Sequence, residues 1–285
     1  VGVRACEECH AEETRRWRGS HHDLAMQAAN EKTVLGDFDD AHFTYEGVTT
    51  RFYRKDGKPF VRTDGPDGRL TDYPVAYAFG LTPLQQYLVE LPGGRYQALS
   101  VAWDSRPKAE GGQRWFHLYP GERVDHRDVL HWTKLSQSWN SQCAECHSTN
   151  LRKGYRLDED RFLTTFSEVN VSCETCHGQG SRHVDWARQA RARGQEPKGE
   201  PGLIVRFTER RSREWEMDVK RGIAKPTKFL DTRFEVETCA RCHARRGLLT
   251  EDYRPGRLLM DTHRPALVDA GLYYADGQMR DEVYN

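Results

Sequence analysis

The chain has 285 residues, a length that allows one large domain or two smaller ones. The chain has 43 basic residues (lysine and arginine together) and 43 acidic residues (aspartate and glutamate together). The polypeptide is therefore formally neutral, and its charge does not indicate a nucleic-acid partner. No apolar run approaches the roughly 20 residues that a helix needs to cross a bilayer, so we expect no transmembrane segment.

Residues 1–32 are predicted to form a helix, a turn and a second helix. The first helix begins at Cys6 and ends at Arg18, before the interruption Gly19-Ser20. Ser20 is a suitable N-cap for the second helix, which is predicted over 21–30.

Residues 33–125 show the alternation of apolar and polar residues that is typical of strands. Val48 to Arg54 alternates, Lys55-Asp56-Gly57-Lys58 is a turn sequence, and Pro59 to Thr63 alternates again, which indicates a hairpin. With the further turn signals downstream, this segment predicts an antiparallel β module of about six or seven short strands. Its tryptophan, tyrosine and phenylalanine side chains are expected in the core.

Residues 126–285 return to helical patterns. One helix is predicted from Thr133 to Ser141 and another from Arg182 to Arg193, with Ser181 as its cap. Residues 191–235 are charged and contain scattered glycine and proline, which favours connecting segments and short helices.

One motif, Cys-x-x-Cys-His, accounts for all 8 cysteines and occurs four times. It is the covalent attachment site of c-type haem. On a helical turn, residues i, i+3 and i+4 share one face, so both thiols reach the haem vinyl groups while the histidine binds the iron. We predict four haem c groups, attached through Cys6, Cys9, Cys143, Cys146, Cys173, Cys176, Cys239 and Cys242, with proximal iron ligands His10, His147, His177 and His243.

Two other uses of paired cysteines are a zinc site and a redox dithiol. Both leave unexplained the histidine that follows every pair, in a chain with only 12 histidines. Four porphyrins would also supply the apolar surface that is scarce in a chain with 37% hydrophobic residues. Because haem attachment to this motif takes place outside the cytoplasm, we expect a periplasmic or extracellular mature chain whose export signal has been removed.

The order of these parts resembles two groups of multihaem cytochromes. The first group is the tetrahaem electron carriers that take electrons from hydroxylamine oxidoreductase. The second is the exported multihaem cytochromes that are often fused to tetratricopeptide repeats, and this resemblance covers nearly the whole chain. The residues that carry the two resemblances are Trp17, His22, Gly154-Tyr155, Gly178-Gln-Gly180, Pro83-Leu-Gln-Gln-Tyr-Leu88, Gly112-Gln-Arg-Trp-Phe-His117 and His131-Trp-Thr133.

The resemblance implies particular distal iron ligands. His22 matches the ligand of the fourth motif's iron, His183 that of the first, and His263 that of the third. In the hydroxylamine-linked carriers the second haem can be open on one side. The β module and the residues directly after it add four histidines, His42, His117, His126 and His131, of which we favour His131 as the ligand of the second iron.

The assignment of His22 has alternatives. The pair His21-His22 is a surface pair in an ordinary protein, and becomes a ligand candidate only because the irons need further ligands. Met26 competes with it, although a methionine at helical spacing is more often a packing residue.

The resulting fold class is α+β: a mainly helical multihaem cytochrome c core with little regular structure, plus an inserted antiparallel β module. The predicted segments are 1–32 (first motif and distal-histidine helix), 33–125 (β module) and 126–285 (motifs two to four).

Haems with two histidine ligands have no open coordination position, so we expect an electron carrier rather than an enzyme. The expected partners are redox proteins or extracellular acceptors, and neighbouring cytochrome subunits in a conduit or polymeric filament. The competing class is a reductase of small nitrogen compounds, which requires that no histidine opposes His147.

Overall fold

The computed structural model describes residues 1–196, 198–207, 214–227, 233–269, 271–275 and 279–280. They form two compact units. The first, which we call the sheet unit, contains Gly2 and Glu7–Ser172; the second, the C-terminal unit, contains Val1, Val3–Cys6 and the described residues from Cys173 onward. Two parts of the predicted connecting segment, 208–213 and 228–232, and the end of the third predicted segment, 281–285, lie outside the described residues.

The α-helices in the described residues are short, and most of them lie at a Cys-x-x-Cys-His motif. The longest has 12 residues, and the helices found in this part of the chain are not long and apolar enough to cross a membrane. Their bounds are α1 Val3–Glu7, α2 Ala11–Trp17, α3 Trp139–Gln142, α4 Ala144–His147, α5 Cys173–His177, α6 Ser181–Ala192 and α7 Phe234–His243. Single 3₁₀ turns occur at Lys108–Glu110, Leu135–Gln137 and Leu259–Asp261.

A nine-stranded antiparallel sheet dominates the sheet unit. Seven strands follow one another in the order β2-β3-β4-β5-β6-β8-β9, while β1 pairs with β5 and β7 pairs with β6. Three two-stranded pairs lie outside it, β10 with β11, β12 with β13 and β14 with β15. The strands are β1 Met26–Ala28, β2 Ala41–Tyr45, β3 Val48–Lys55, β4 Lys58–Asp64, β5 Leu70–Phe79, β6 Leu84–Leu91, β7 Arg95–Ala98, β8 Val101–Asp104, β9 Arg114–His117, β10 Tyr155–Arg156, β11 Arg161–Phe162, β12 Trp215–Asp218, β13 Ile223–Pro226, β14 Arg246–Leu248 and β15 His263–Pro265.

The predicted β hairpin is confirmed. Strands β3 and β4 pair from Lys55 and Lys58 outward, and the two residues between them have positive φ, 52° at Asp56 and 73° at Gly57. That backbone matches the right-handed twist of the strands, which is why an Asp-Gly pair favours a two-residue hairpin turn.

Aromatic side chains fill the core of the sheet, as the sequence predicts. Phe52 and Trp115 stack at 3.5 Å between ring centroids, and Phe38 meets both edge-on. Gly36 passes so close that a Cβ there would stand 2.6 Å from the Tyr87 hydroxyl oxygen and 2.7 Å from the Trp115 ring. A residue without a side chain is therefore required at that position.

The expectation of a mainly helical core is wrong. Helix accounts for 21% of the chain and strand for 30%, in a large, nearly closed antiparallel sheet. The helix predicted over 21–30 is a turn followed by β1, because Met26 pairs with Phe79 of β5 and is fully buried there. Tertiary pairing has overridden the local helical pattern.

The two helices predicted further along the chain differ in outcome. The stretch Thr133–Ser141 forms a 3₁₀ turn at Leu135–Gln137 and then α3, rather than one helix. The helix predicted after Ser181 is confirmed as α6, although its N-cap is Gly180 and no side chain caps it.

Candidate haem attachment sites

The third and fourth motifs lie on regular helices. Cys173, Cys176 and His177 are residues of α5, and the fourth motif forms the end of α7. Residues at i, i+3 and i+4 of a helix lie on one face, so two sulfurs and one imidazole point the same way at each motif. This is the arrangement that thioether attachment with a proximal histidine requires.

Apolar packing and hydrogen bonds connect the second motif to the sheet. Cys143 ends α3 and begins α4, and Ala144 belongs to a buried cluster with residues of β1, β5, β6 and β7. Asn140 of α3 accepts a hydrogen bond from the Tyr96 backbone N–H at 2.8 Å and donates to the Gly94 carbonyl at 3.1 Å and to Thr164 Oγ1 at 2.9 Å. The sheet therefore positions the motif that supplies His147.

The imidazole of His147 is held by a backbone carbonyl. Its Nδ1 lies 2.8 Å from the carbonyl oxygen of Ala25, and its ring meets Phe79 edge-on at 5.4 Å. A carbonyl can only accept, so Nδ1 carries the proton and Nε2 carries the lone pair. Burial lowers the pKa of His147, which favours the neutral ring that an iron ligand needs.

His177 of the third motif is held in the same way. Its Nδ1 lies 2.7 Å from the carbonyl oxygen of Val205, and Phe207 packs edge-on against its ring at 5.1 Å. This hydrogen bond orients the ring and leaves Nε2 as the nitrogen that can bind haem iron.

The first motif runs from helix α1 to the start of α2. Helix α1 ends at Glu7 and His10 is the N-cap residue of α2, so this motif is not one continuous helix. Both Cys9 and His10 are exposed.

Burial and a neighbouring motif act together on one cysteine of the third motif. Burial, together with the smaller effect of nearby Cys239, raises the pKa of the Cys176 thiol to about 11. Cysteines of the third and fourth motifs are therefore neighbours within the C-terminal unit, which sequence spacing did not indicate because many residues separate them.

The predicted distal histidines lie in different surroundings. His22 is exposed in the turn before β1, and its carbonyl accepts a hydrogen bond from the Val171 N–H at 3.1 Å. His263 is 1% exposed at the start of β15, where Nδ1 lies 2.9 Å from Thr262 Oγ1 and the ring meets Tyr253 edge-on. The assignment of these histidines, and of His183, to particular irons stays a prediction.

His131, the favoured ligand of the second iron, is engaged elsewhere in the sheet unit. It is 3% exposed, with Nε2 3.0 Å from Asp64 Oδ2 and Nδ1 2.8 Å from Thr133 Oγ1. Both ring nitrogens thus have partners. Ligation by His131 stays a prediction, and it requires that one of these hydrogen bonds be broken.

The C-terminal unit has the surface expected of a haem-binding region. Among its described residues, Val205 and Leu259 are the buried hydrophobic side chains, whereas one buried cluster of the sheet unit alone holds twelve buried residues. Many apolar side chains of this unit are exposed instead: Ile204, Trp215, Met217, Val219, Ile223, Val236, Leu249, Leu258, Met260, Leu267, Val268 and Tyr274. Macrocycles bound at the third and fourth motifs would supply apolar surface to such a unit.

A bare metal site is the alternative use of these cysteines and histidines. Within the described ranges, no group of three or more histidine, cysteine, aspartate or glutamate side chains is arranged to hold a metal ion. The motif residues fit haem c through their chemistry, with two thiols and an imidazole in each motif.

Comparison with known proteins gives a partial match. Residues 5–44 and 104–178 match the family model described as cytochrome c554 and c-prime. These segments contain the first three motifs, together with His22 and His131, and they leave out most of the sheet. No curated protein matches the chain.

Among solved structures, an undecaheme cytochrome from the S-layer of Carboxydothermus ferrireducens is similar at 18% identity with a TM-score of 0.36. The match covers 65% of this chain and 21% of that one, so this chain spans about a fifth of that protein's length. The four motifs and the family-model match support a multihaem c-type cytochrome that transfers electrons with covalently bound haem c.

Proposed function

We propose that this protein carries electrons, one at a time, through four haem c groups attached at its four motifs. Haem c supplies one-electron iron chemistry when bound. The observation that carries the proposal is that all 8 cysteines lie in Cys-x-x-Cys-His motifs. His10, His147, His177 and His243 bind the irons on the proximal side.

His22, His183 and His263 are the proposed distal ligands of three of these irons, those of the fourth, first and third motifs. Two imidazoles on one iron leave no position for a substrate, so these sites transfer electrons only. The buried state of His263 and the fixed ring of His183 favour this role, because a ligand held in one orientation binds with little further loss of entropy.

Mass and spectra of the oxidised protein test this proposal. The intact mass is expected to exceed that of the polypeptide by four haem groups, and the colour is expected to resist acid–acetone extraction because thioether bonds hold it. EPR is expected to show low-spin signals for the bis-histidine irons. A mass equal to that of the bare polypeptide would overturn the proposal.

A second candidate function follows from the position of His131. Because Asp64 and Thr133 hold both of its ring nitrogens, His131 can bind the second iron only if one hydrogen bond breaks, and an iron that no other histidine reaches has His147 as its one protein ligand. An iron of that kind binds a small ligand, which favours a reductase of small nitrogen compounds. A high-spin EPR fraction that shifts on addition of nitrite or hydroxylamine is expected for this function, and its absence contradicts it.

We further propose that the protein acts in the periplasm or outside the cell, where haem c is attached. Its partners there are redox proteins, extracellular acceptors or neighbouring cytochrome subunits of a conduit. Electron microscopy of the purified holoprotein tests the filament form of this proposal. Discrete particles alone would exclude a polymer.

A further inference from the structure

One short segment of the C-terminal unit holds two histidines at once. His183 Nδ1 lies 2.8 Å from the carbonyl oxygen of Pro201, and His177 Nδ1 lies 2.7 Å from that of Val205. We call this segment, residues 201–205, the carbonyl strap. Its contacts come from the backbone, so no side-chain type in the sequence indicates them.

Both hydrogen bonds have a defined direction. A backbone carbonyl only accepts, so in each histidine Nδ1 donates and Nε2 is the nitrogen left to bind a metal. A carbonyl that accepts from Nδ1 fixes the tautomer and the ring orientation, and it makes the imidazole a stronger donor to a metal.

The His183 end of the strap is tightly packed. Gly202 has φ +69°, and a Cβ there would lie 3.0 Å from Arg182 Cβ and 3.2 Å from the His183 backbone nitrogen. The His183 ring stacks on Trp186 at 5.4 Å, and the Trp186 indole N–H donates to the Lys198 carbonyl at 2.9 Å. Strap and helix α6 therefore hold the imidazole from both sides.

The His177 end is equally constrained. Val205 is fully buried, and Gly256, with φ +93°, is packed so closely that a Cβ there would overlap the Ile204 side chain. A displacement at either glycine is expected to reach both ends of the strap, because it has only five residues and the fully buried Val205 has little free volume in which to relax.

We propose that the carbonyl strap is a positioning element that sets the orientation and donor strength of axial imidazoles on two different irons, and so links the reduction potentials of two haems. The inference rests on the proposed function. His177 is the proximal ligand of its own motif, and His183 follows it too closely in the chain to oppose it on the same iron, so His183 serves a second iron. Stronger donation from an imidazole stabilises the ferric state, so weakening either hydrogen bond raises the potential of that iron.

The test uses the holoprotein and two glycine variants, each with a matched control. Gly202→Ala pushes the strap away from His183, and Gly256→Ala pushes against the Ile204 side chain next to Val205. Gly199→Ala and Gly271→Ala are the controls, because those glycines also have positive φ, +85° and +90°, but have nothing within 4 Å of the added Cβ. The backbone strain is thus similar, and only the contact with the strap differs.

We expect Gly202→Ala and Gly256→Ala to raise the potentials of the same two haems and to change the EPR signals of those two irons. At a fixed ambient potential, we expect the ratio of reduced to oxidised iron to change about threefold at each of the two haems. This corresponds to a shift of about 28 mV in reduction potential, because a tenfold change corresponds to 59 mV for one electron. Spectroelectrochemical titration measures it, and the controls are expected to match the unsubstituted protein.

Three results would overturn the inference: no shift beyond the controls, a shift of all four haems, or one haem shifting in Gly202→Ala and a different one in Gly256→Ala. Haem content, measured on every variant, separates this failure from that of the proposed function. A full complement of haem with unchanged potentials contradicts the strap alone. A protein without covalent haem contradicts electron transfer itself.

Discussion

Asp64 and His131 form a buried hydrogen-bonded pair at the end of β4. The Asp64 carboxylate accepts from His131 Nε2 at 3.0 Å, and its backbone carbonyl accepts from the Trp132 indole N–H at 2.8 Å. Asp64→Ala removes the carboxylate and leaves a buried imidazole N–H without an acceptor, which we expect to lower the free energy of unfolding by about 1–3 kcal/mol. Urea unfolding measures this change.

The control for that variant is Asp72→Ala on the neighbouring strand β5. Asp72 pairs with Arg62 at 3.2 Å where both side chains are exposed, and such pairs contribute only about 0–1 kcal/mol. The visible spectrum of Asp64→Ala reports separately on His131. A shifted spectrum would show that the freed Nε2 of His131 reaches an iron, and an unchanged one would contradict its assignment to the second haem.

The same carboxylate makes stability depend on pH. Burial raises the pKa of Asp64, but the hydrogen bond and charge of His131, with a hydrogen bond from Thr63, lower it more, so the net pKa lies below the ordinary value. A carboxyl whose pKa is lowered in the folded state contributes its full stabilisation of the fold at pH values above its unfolded-state pKa of about 3.9. That stabilisation is lost as the pH falls through the folded-state pKa. The difference in unfolding free energy between the unsubstituted protein and Asp64→Ala should therefore shrink below about pH 4. A difference that stays constant down to pH 2 would show that the charge is not responsible.

At the scale of elements, Asn140 connects the second motif to the sheet through three hydrogen bonds to β7, its preceding turn and Thr164. Asn140→Ala leaves these groups unsatisfied in a buried site, so we expect a loss of about 1–3 kcal/mol in unfolding free energy. The spectrum of the second haem should also broaden, because α3 and α4 lose their fixed position. Ser141→Ala is the control on the same helix, and equal losses in the two variants would contradict the role of Asn140.

What could be read from the sequence depended on the range of the interactions. The four motifs and the β3–β4 hairpin are local patterns, so Cys143 to His147 and the Asp56-Gly57 turn were identifiable without a structure. The strand β1 was not, because Met26 is a strand residue only through its pairing with Phe79. The Pro201 and Val205 carbonyls were equally hidden, since a backbone acceptor leaves no trace in residue type.

At the scale of the whole molecule, the two units obtain their stability from different sources. The sheet unit has a cluster of twelve buried residues centred on rings such as Phe52 and Trp115, and each fully buried large apolar side chain contributes roughly 1.5–3 kcal/mol. In the described part of the C-terminal unit, Val205 and Leu259 contribute only a few kcal/mol on the same scale. Ordering the backbone costs about 1–2 kcal/mol for every residue, so these two side chains offset only a small part of the cost of folding the unit.

We therefore expect folding of the C-terminal unit to require haem, and folding of the sheet unit to be independent of it. A Cys239→Ser/Cys242→Ser variant, which cannot attach the fourth haem, should lose hydrogen-exchange protection in α7 and in β14–β15 while the amides of β3–β6 stay protected. Cys143→Ser/Cys146→Ser is the matched control: it removes the second haem from the sheet unit, whose large aromatic cluster contains neither cysteine, so the protection of β3–β6 should persist. Loss of hydrogen-exchange protection in β3–β6 in either variant would contradict haem-independent folding of the sheet unit. Retained protection of α7 without the fourth haem would contradict haem-dependent folding of the C-terminal unit.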